Sequence, residues 1–290
     1  MDYGAGRWGV VLNQDKAMSL RSAVVLNADA TSTVELDHPV DIALTLAMAD
    51  LKAQFINTQK GTVQYENIRG SEAFERFKSL SGKLRSYNYQ SLRTREQKLA
   101  FWINIYNITV IHGVIELSIQ RSVRDFPHFF DRVTYEIGGY YFSLNDIEHG
   151  ILRGNRRPPY RLFKPFRGSD TRSELALVPM DPRIHFALVC GARSCPPIGF
   201  YEADQIDFQL QLAAASFINS PQVAIEQQEM AVSISMIFKW YKIDFGGTGE
   251  TLLNTLFQFL DEGEKKEFLM RNKDRIRIRY QPYDWSLNRE

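Results

Sequence analysis

Pro182–Pro197, PRIHFALVCGARSCPP, is the stretch whose reading decides the fold. Within it Ile184–Val189 is a short apolar run with β-branched and aromatic members, bounded by Asp181-Pro182 before and Cys190-Gly191 after. Those features predict a buried strand. Gly191 permits a tight turn, so the Cys190 sulfur is expected at a strand end rather than in a hydrocarbon core. Both cysteines of the chain, Cys190 and Cys195, fall in this window, and His185 lies just upstream. No other segment concentrates reactive side chains this way.

Upstream, Thr94 and Gln97 match a capping box that opens a helix running to Glu116 or Leu117. Its run LAFWINIYNITVIHGVIEL is apolar almost all round, which places it at the centre of the fold. Asn104 and Asn107 share a face of it, and His112, about 80° round from Asn104, is expected to look into the same cavity. Before it, 41–57 and 71–82 carry apolar residues at helical spacing, with Ser71 as a cap. Short strands are expected at 22–26 and 33–36.

Downstream, Val133–Ile137 and Tyr140–Leu144 flank Gly138-Gly139 as a hairpin would. The segment DIEHGILR then predicts a short helix carrying Glu148 and His149. Residues 154–180, rich in Arg, Pro, Gly and Ser, read as a long surface loop, a length usually functional or mobile. Beyond the cysteines, 205–219 reads as an amphipathic helix with Phe208, Leu212 and Phe217 among its apolar residues. A second hairpin is expected at 223–227 and 231–235, helices at 251–260 and 265–272, and an edge strand in RIRIRY, 275–280. The aromatic run MIFKWYKIDF, 236–245, is expected to pack on the core. The expected fold is a single α+β domain with a central buried helix on a mostly antiparallel sheet. Residues 1–90 are its helical N-terminal part and 251–290 its C-terminal helices and edge strand.

Of the 290 residues 44% are hydrophobic, enough for a sizeable core. The net charge of +1 gives no electrostatic case for nucleic acid or an acidic membrane surface as partner. Two cysteines do not make a secreted disulfide scaffold. No apolar run suggests a membrane span, and Asp2, Asp15 and Lys16 interrupt any signal-peptide layout, so a cytoplasmic protein is expected. A Gly-rich phosphate loop, H-E-x-x-H and G-x-S-x-G are all missing, and no cofactor is expected.

Four motifs carry a family resemblance: KLAFWINIYN (98–107) with His112, Ile147-Glu148 after the YxIGG hairpin, DPRIHFALVCGARSCPP (181–197) and FKWYKIDF (238–245). In their order and spacing they resemble the domain-of-unknown-function 547 family, whose core would span 91–250. The resemblance implies that these motifs belong to one site. It hints at thiol chemistry, because some relatives are fused to glutaredoxin-like modules. It also implies that Cys190 occupies the family's cysteine position, whereas that of Cys195 is sometimes serine.

A cysteine attacks a carbonyl carbon as thiolate and needs a base or a positive field, and the base needs an orienting group. Cys190 is the expected nucleophile and His112 the first choice of base, followed by His149 and His185. Glu148 or Asn104 would orient the imidazole. The amides from Gly191 through Ser194 to Cys195 would bind an oxyanion, with Asn107 and His185 also contributing to substrate binding. His185, five residues before Cys190 on a strand, would point to the opposite face. These readings favour a cysteine-dependent hydrolase or acyl transferase acting on an amide or thioester, with a small molecule or peptide as partner. Papain-like and transglutaminase-like enzymes share the α+β layout by analogy only, since they usually place the nucleophile at a helix N-terminus.

Three alternatives stand beside this reading. A Cys190–Cys195 pair could serve redox chemistry, although its spacing is not C-x-x-C. A metal site from His149, His185, Cys190 and Cys195 lacks the paired ligand spacing of zinc sites, so no metal is expected. The domain could also be a binding or scaffold module, with its aromatics as packing, its asparagines bonded to loop backbone and His112 a core histidine. Oligomeric state is left open.

Overall fold

The apolar run after Thr94 folds as its sequence announces. The Gln97 amide donates to Thr94 Oγ1 at 3.2 Å and the Thr94 amide donates to Gln97 Oε1 at 3.1 Å, closing the capping box. The helix Arg95–Glu116 follows, and every residue from Leu99 to Ile115 is buried. By length and composition it is apolar enough to cross a membrane, but 94% of its apolar window is packed inside the protein. It is the core helix of this fold.

The structure, a computed structural model, describes residues 23–30, 38–159 and 161–290. In chain order the elements are β1 (Val24–Val25), α1 (Val40–Phe55), β2 (Ile56–Asn57), β3 (Thr62–Val63), α2 (Tyr65–Ile68), α3 (Glu72–Ser81) and the core helix α4 (Arg95–Glu116). Then come α5 (Phe129–Arg132), β4 (Val133–Ile137), β5 (Tyr140–Ser143), a π-helix (Asp146–Leu152) and α6 (Ile206–Ile218). The chain closes with β6 (Val223–Glu226), β7 (Ala231–Ile234), α7 (Met236–Trp240), α8 (Gly249–Phe259), α9 (Glu264–Arg271) and β8 (Arg277–Tyr280). The strand expected at 33–36 lies outside the described residues.

The fold is α+β, and its sheets are small and mixed. β4 and β5 form the expected Gly138-Gly139 hairpin, with Tyr135 opposite Phe142, and β1 joins β4 in parallel. β6 and β7 form the second hairpin, and β8 lies parallel to β7 at the edge. β2 and β3 make a separate two-stranded pair. No single sheet backs the core helix; α4 is enclosed by α1, α2, β4, the π-helix and α6.

The run Ile184–Val189 is not a strand. Asp181 caps a 3₁₀ helix, Pro182–Phe186, by accepting from the Arg183 amide at 2.9 Å, with Pro182 in the first turn where its missing N–H costs nothing. The residues after it run irregularly to Cys190. Burial made this run apolar, not sheet pairing. It lies at the seam of two apolar cores: Ile184, Ala187, Leu188 and Val189 pack with the α4 core, and Phe186 with a second core from α6 to α9.

Two more expectations are refined. The segment 154–180 lies on the surface as expected, but it is pinned to the body at a few points. Phe166 is buried, Asn155 holds its backbone through both side-chain atoms, and the Leu177 amide donates to Ile151 O at 2.9 Å. On α6, Phe217 is buried, but Phe208 and Leu212 are 65% and 57% exposed.

The docking of Phe166 is testable. A Cβ on Gly150 would come 2.4 Å from the Phe166 ring, so Gly150→Ala should destabilise by about 1–3 kcal/mol and Phe166→Ala by about 3–5 kcal/mol in urea unfolding. An unchanged midpoint in both would mean that the ring is not seated there.

Candidate functional site

Two asparagines of α4 shape the site without entering it. Asn107 Oδ1 accepts from the Val189 amide at 3.1 Å, and its Nδ2 donates to Ala187 O and Gly199 O, each at 3.0 Å. Asn104 does the same for Tyr201, accepting from its amide at 2.7 Å and donating to its carbonyl at 2.8 Å. The cysteine segment has no sheet ladder, so buried amides take its place. Neither asparagine orients an imidazole or lines the hollow.

That hollow has a volume of about 580 Å³. Cys190, Cys195, His185, Glu148 and His149 all line it, together with Tyr106, Tyr241 and Tyr283. Both cysteines are free thiols and half-buried. The Tyr283 hydroxyl stands 3.2 Å from each sulfur, and the Cys190 amide points at Cys195 Sγ from 2.9 Å.

His112 is elsewhere. Its Nδ1 is 2.7 Å from the Tyr135 hydroxyl, and its ring meets Phe74 and Phe77 edge-on at 5.3 and 5.8 Å. The turn of α4 that carries it faces α3 and β4, so it is a core histidine and not a base for either thiol. Three of the expected oxyanion amides are also committed. Those of Arg193, Ser194 and Cys195 donate to Ser286 O, Asp284 O and Ala192 O. Ser194 Oγ accepts from the Asp284 amide at 2.9 Å, and Gly191, at φ +78°, gives its carbonyl to the Asn288 amide. This turn anchors the C-terminal segment against the cysteines.

Loss of the strand geometry brings His185 into the hollow with Cys190. Its Nε2 is 2.9 Å from Asp244 Oδ2, and its ring stacks on Tyr241 with centroids 3.9 Å apart. Asp244 also accepts from Arg153 Nε at 2.6 Å and Arg156 Nη1 at 2.7 Å. Burial would raise the Asp244 carboxyl, but His185 and Arg153 outweigh it and hold it well below the usual range. An ionised carboxylate only accepts, so the His185 proton sits on Nε2 and the lone pair on Nδ1. Burial lowers the His185 pKa, so the ring is neutral near pH 7.

His149 is fixed in the opposite sense. Arg153 Nη1 lies 3.0 Å from its Nδ1, and a guanidinium can only donate, so the proton is on Nε2. Burial, opposed by Glu148 and aided by Arg153, brings His149 down to about 4. Glu148 accepts from Tyr106 Oη at 3.1 Å and Tyr241 Oη at 2.5 Å. Burial pushes its carboxyl up, but His149, Tyr241, His185 and Arg153 leave it below its ordinary value. Among the described residues, no group of three or more His, Cys, Asp or Glu is arranged to hold a metal ion.

Residues 89–218 match the family described as protein of unknown function, DUF547. This segment is similar to that family. No curated protein and no solved structure gives a significant match. The matched segment supplies both thiols, His185, Glu148 and His149. Tyr241, Asp244 and Tyr283 come from the chain beyond it, so the site is completed by residues outside the matched segment. Sequence reading named none of the three as a site residue, although Tyr241 and Asp244 lie in the FKWYKIDF motif that the resemblance assigned to the site. The signal for Asp244 was a lone acid in an aromatic run, and that for Arg153 was its place one helical turn after His149. Tyr283 carried no signal.

The two sulfurs are electrostatically unequal. Donation by Cys190 to Cys195, added to burial, pushes the Cys190 thiol well up. Burial alone would raise Cys195 too, but the Cys190 thiol, the Tyr283 hydroxyl and the Cys190 and Ala192 amides bring it down to about 7. The Cys190 amide at 2.9 Å and the Tyr283 hydroxyl at 3.2 Å both reach Cys195 Sγ, and this geometry favours charge on that sulfur. The sequence reading placed the nucleophile on Cys190.

Alkylation of the site should rise with pH through a midpoint near 7, set by Cys195. Tyr283 donates to the thiolate and so lowers that midpoint; Tyr283→Phe should move it upward. A midpoint that stays put in the variant would remove Tyr283 from the charge-stabilising set. Asn107→Ala should destabilise by about 1–3 kcal/mol for each backbone group it leaves unbonded. Asn107→Asp keeps the acceptor for Val189 but sets a buried carboxylate oxygen against the carbonyls of Ala187 and Gly199, so it should lose at least as much as the alanine variant; an unchanged midpoint for both variants in urea unfolding would contradict this clamp.

Proposed function

We propose that this protein is a cysteine-dependent hydrolase or acyl transferase acting on an amide or thioester, with the hollow as its active site. The observation that carries the reading is the joint placement of the thiol pair, the Asp244-bound His185 and the Nε2–H of His149 around one hollow. Cys195, bearing the charge, is the attacking sulfur, and Cys190 stabilises it as a hydrogen-bond donor.

In this scheme Cys195 Sγ attacks the carbonyl carbon; the C–S bond forms and the carbonyl electron pair moves to oxygen. His149 donates its Nε2–H to that oxyanion, a role open to a histidine that stays neutral. Collapse breaks the bond from carbon to the leaving group and leaves an acyl-cysteine: a thiolate departs as such, whereas an amine departs with a proton taken from solvent, to which His185 later returns one. His185 Nδ1 then takes the proton of the second nucleophile, water or an acceptor thiol or amine, as that group attacks. Asp244 holds the resulting imidazolium, and Cys195 leaves as thiolate.

The test is an activity-based thiol probe on the wild type and on Cys195→Ser, Cys190→Ala and Asp244→Asn. Cys195→Ser should abolish labelling, Cys190→Ala should retain it with a raised pH midpoint, and Asp244→Asn should slow turnover of a model thioester about 10²–10⁴-fold. Labelling that survives Cys195→Ser and is lost in Cys190→Ala would reassign the nucleophile. No labelling in the wild type would end the reading.

The contact of both sulfurs with one hydroxyl favours a second reading, a thiol redox site in which Cys190 and Cys195 cycle between dithiol and disulfide. A two-hydrogen mass loss under mild disulfide exchange, reversed by a dithiol, would support it.

A further inference from the structure

Tyr283, whose hydroxyl stands 3.2 Å from both sulfurs, presents its ring to Trp240 and Trp285 at centroid distances of 4.8 and 4.9 Å. The two indoles are 5.7 Å apart, so the three half-buried rings form one aromatic wall that begins at the thiols. The Arg124 guanidinium lies over Trp285, 5.2 Å from its ring, and backs that wall at the rim. Elsewhere the lining includes Phe126, Phe130, Pro158 and Pro159.

The carboxylates of the lining already have partners. Asp131 is held by Arg161 through two bonds of 3.0 and 2.7 Å, and Glu148 by two tyrosine hydroxyls. Water against this wall finds few hydrogen-bond partners, and an apolar group gains by displacing it.

We propose that the substrate of this site is an acyl donor with an apolar acyl group, seated against Trp240, Trp285 and Tyr283 while its carbonyl lies at the sulfurs. This rests on the thiol-nucleophile reading above and adds to it the class of acyl group. A hydrophilic acyl group would bring polar atoms to ring faces that offer them few partners, so part of their desolvation goes uncompensated. An alkyl or aryl group buries its surface there and stacks on the indoles.

The test uses alkylation, which reports on seating without requiring turnover. Iodoacetamide, N-hexyl iodoacetamide and N-benzyl iodoacetamide each react by the same step: the thiolate displaces iodide and a C–S bond forms. Rates on the full chain are divided by rates on glutathione, which removes intrinsic reactivity. The hexyl and benzyl reagents should then exceed iodoacetamide by about tenfold, the gain from burying two or so methylenes. Trp240→Ala and Trp285→Ala should each cut that ratio by about threefold or more. Trp285→Leu keeps apolar bulk, serves where the alanine variant fails to fold, and should lose the benzyl preference more than the hexyl one.

Labelling by all three reagents with no preference, or a preference untouched by these substitutions, overturns the proposal and leaves the thiol-nucleophile reading standing. Failure of every reagent to label either sulfur removes both.

Discussion

The site depends on one buried amide. Asn107 meets the Ala187 carbonyl and the Val189 amide before the cysteines and the Gly199 carbonyl after them, and no strand or helix competes for those groups. A backbone buried without a ladder is costly unless side chains satisfy it. Asn107 does so from the most rigid element of the fold, α4, which is buried along nearly its whole length. Asn104, one helical turn earlier, holds the chain where it leaves the cysteine turn. The positions of both sulfurs are thus referred to the core helix through short, directional bonds, and a loop becomes as well placed as a strand.

The chemistry of the hollow follows from which groups can only donate and which can only accept. Arg153 joins the two histidines through opposite constraints: it donates to His149 Nδ1, and it shares Asp244 with His185. One ring is left with a free proton and the other with a free lone pair, 36 residues apart in the chain (185 − 149 = 36). The thiols are polarised by the same logic. The Cys190 amide and the Tyr283 hydroxyl converge on Cys195 and favour charge on that sulfur. The hollow lies where two apolar cores meet, with the 184–189 segment contributing to both. A seam between packed bodies is where a cavity forms at least cost to packing.

Periodic elements were legible because their signals are local. The Thr94–Gln97 box, the Ser71 cap, the Gly138-Gly139 hairpin and the alternating RIRIRY edge are each written within a few residues. The resemblance of the WINIYN, IEH and CGARSC motifs to DUF547 holds over 89–218, and motifs widely separated in sequence line one hollow. The strand reading of HFALV failed because a fully buried run is apolar whatever its backbone does; Asp181-Pro182 was the better signal, and it is a helix start.

By itself, then, the sequence determined the core helix, its neighbours, both hairpins and the segment that bears both sulfurs. Tertiary structure alone decided that His112 packs on Phe74 and Phe77, that the turn amides serve the C-terminal segment, and that Asp244 and Tyr283 complete the site. The physical reason is range. Caps, turns and periodicity act over a few residues, whereas proton positions and thiol charge are set by contacts spanning 59 and 93 positions of the chain, which no local pattern encodes.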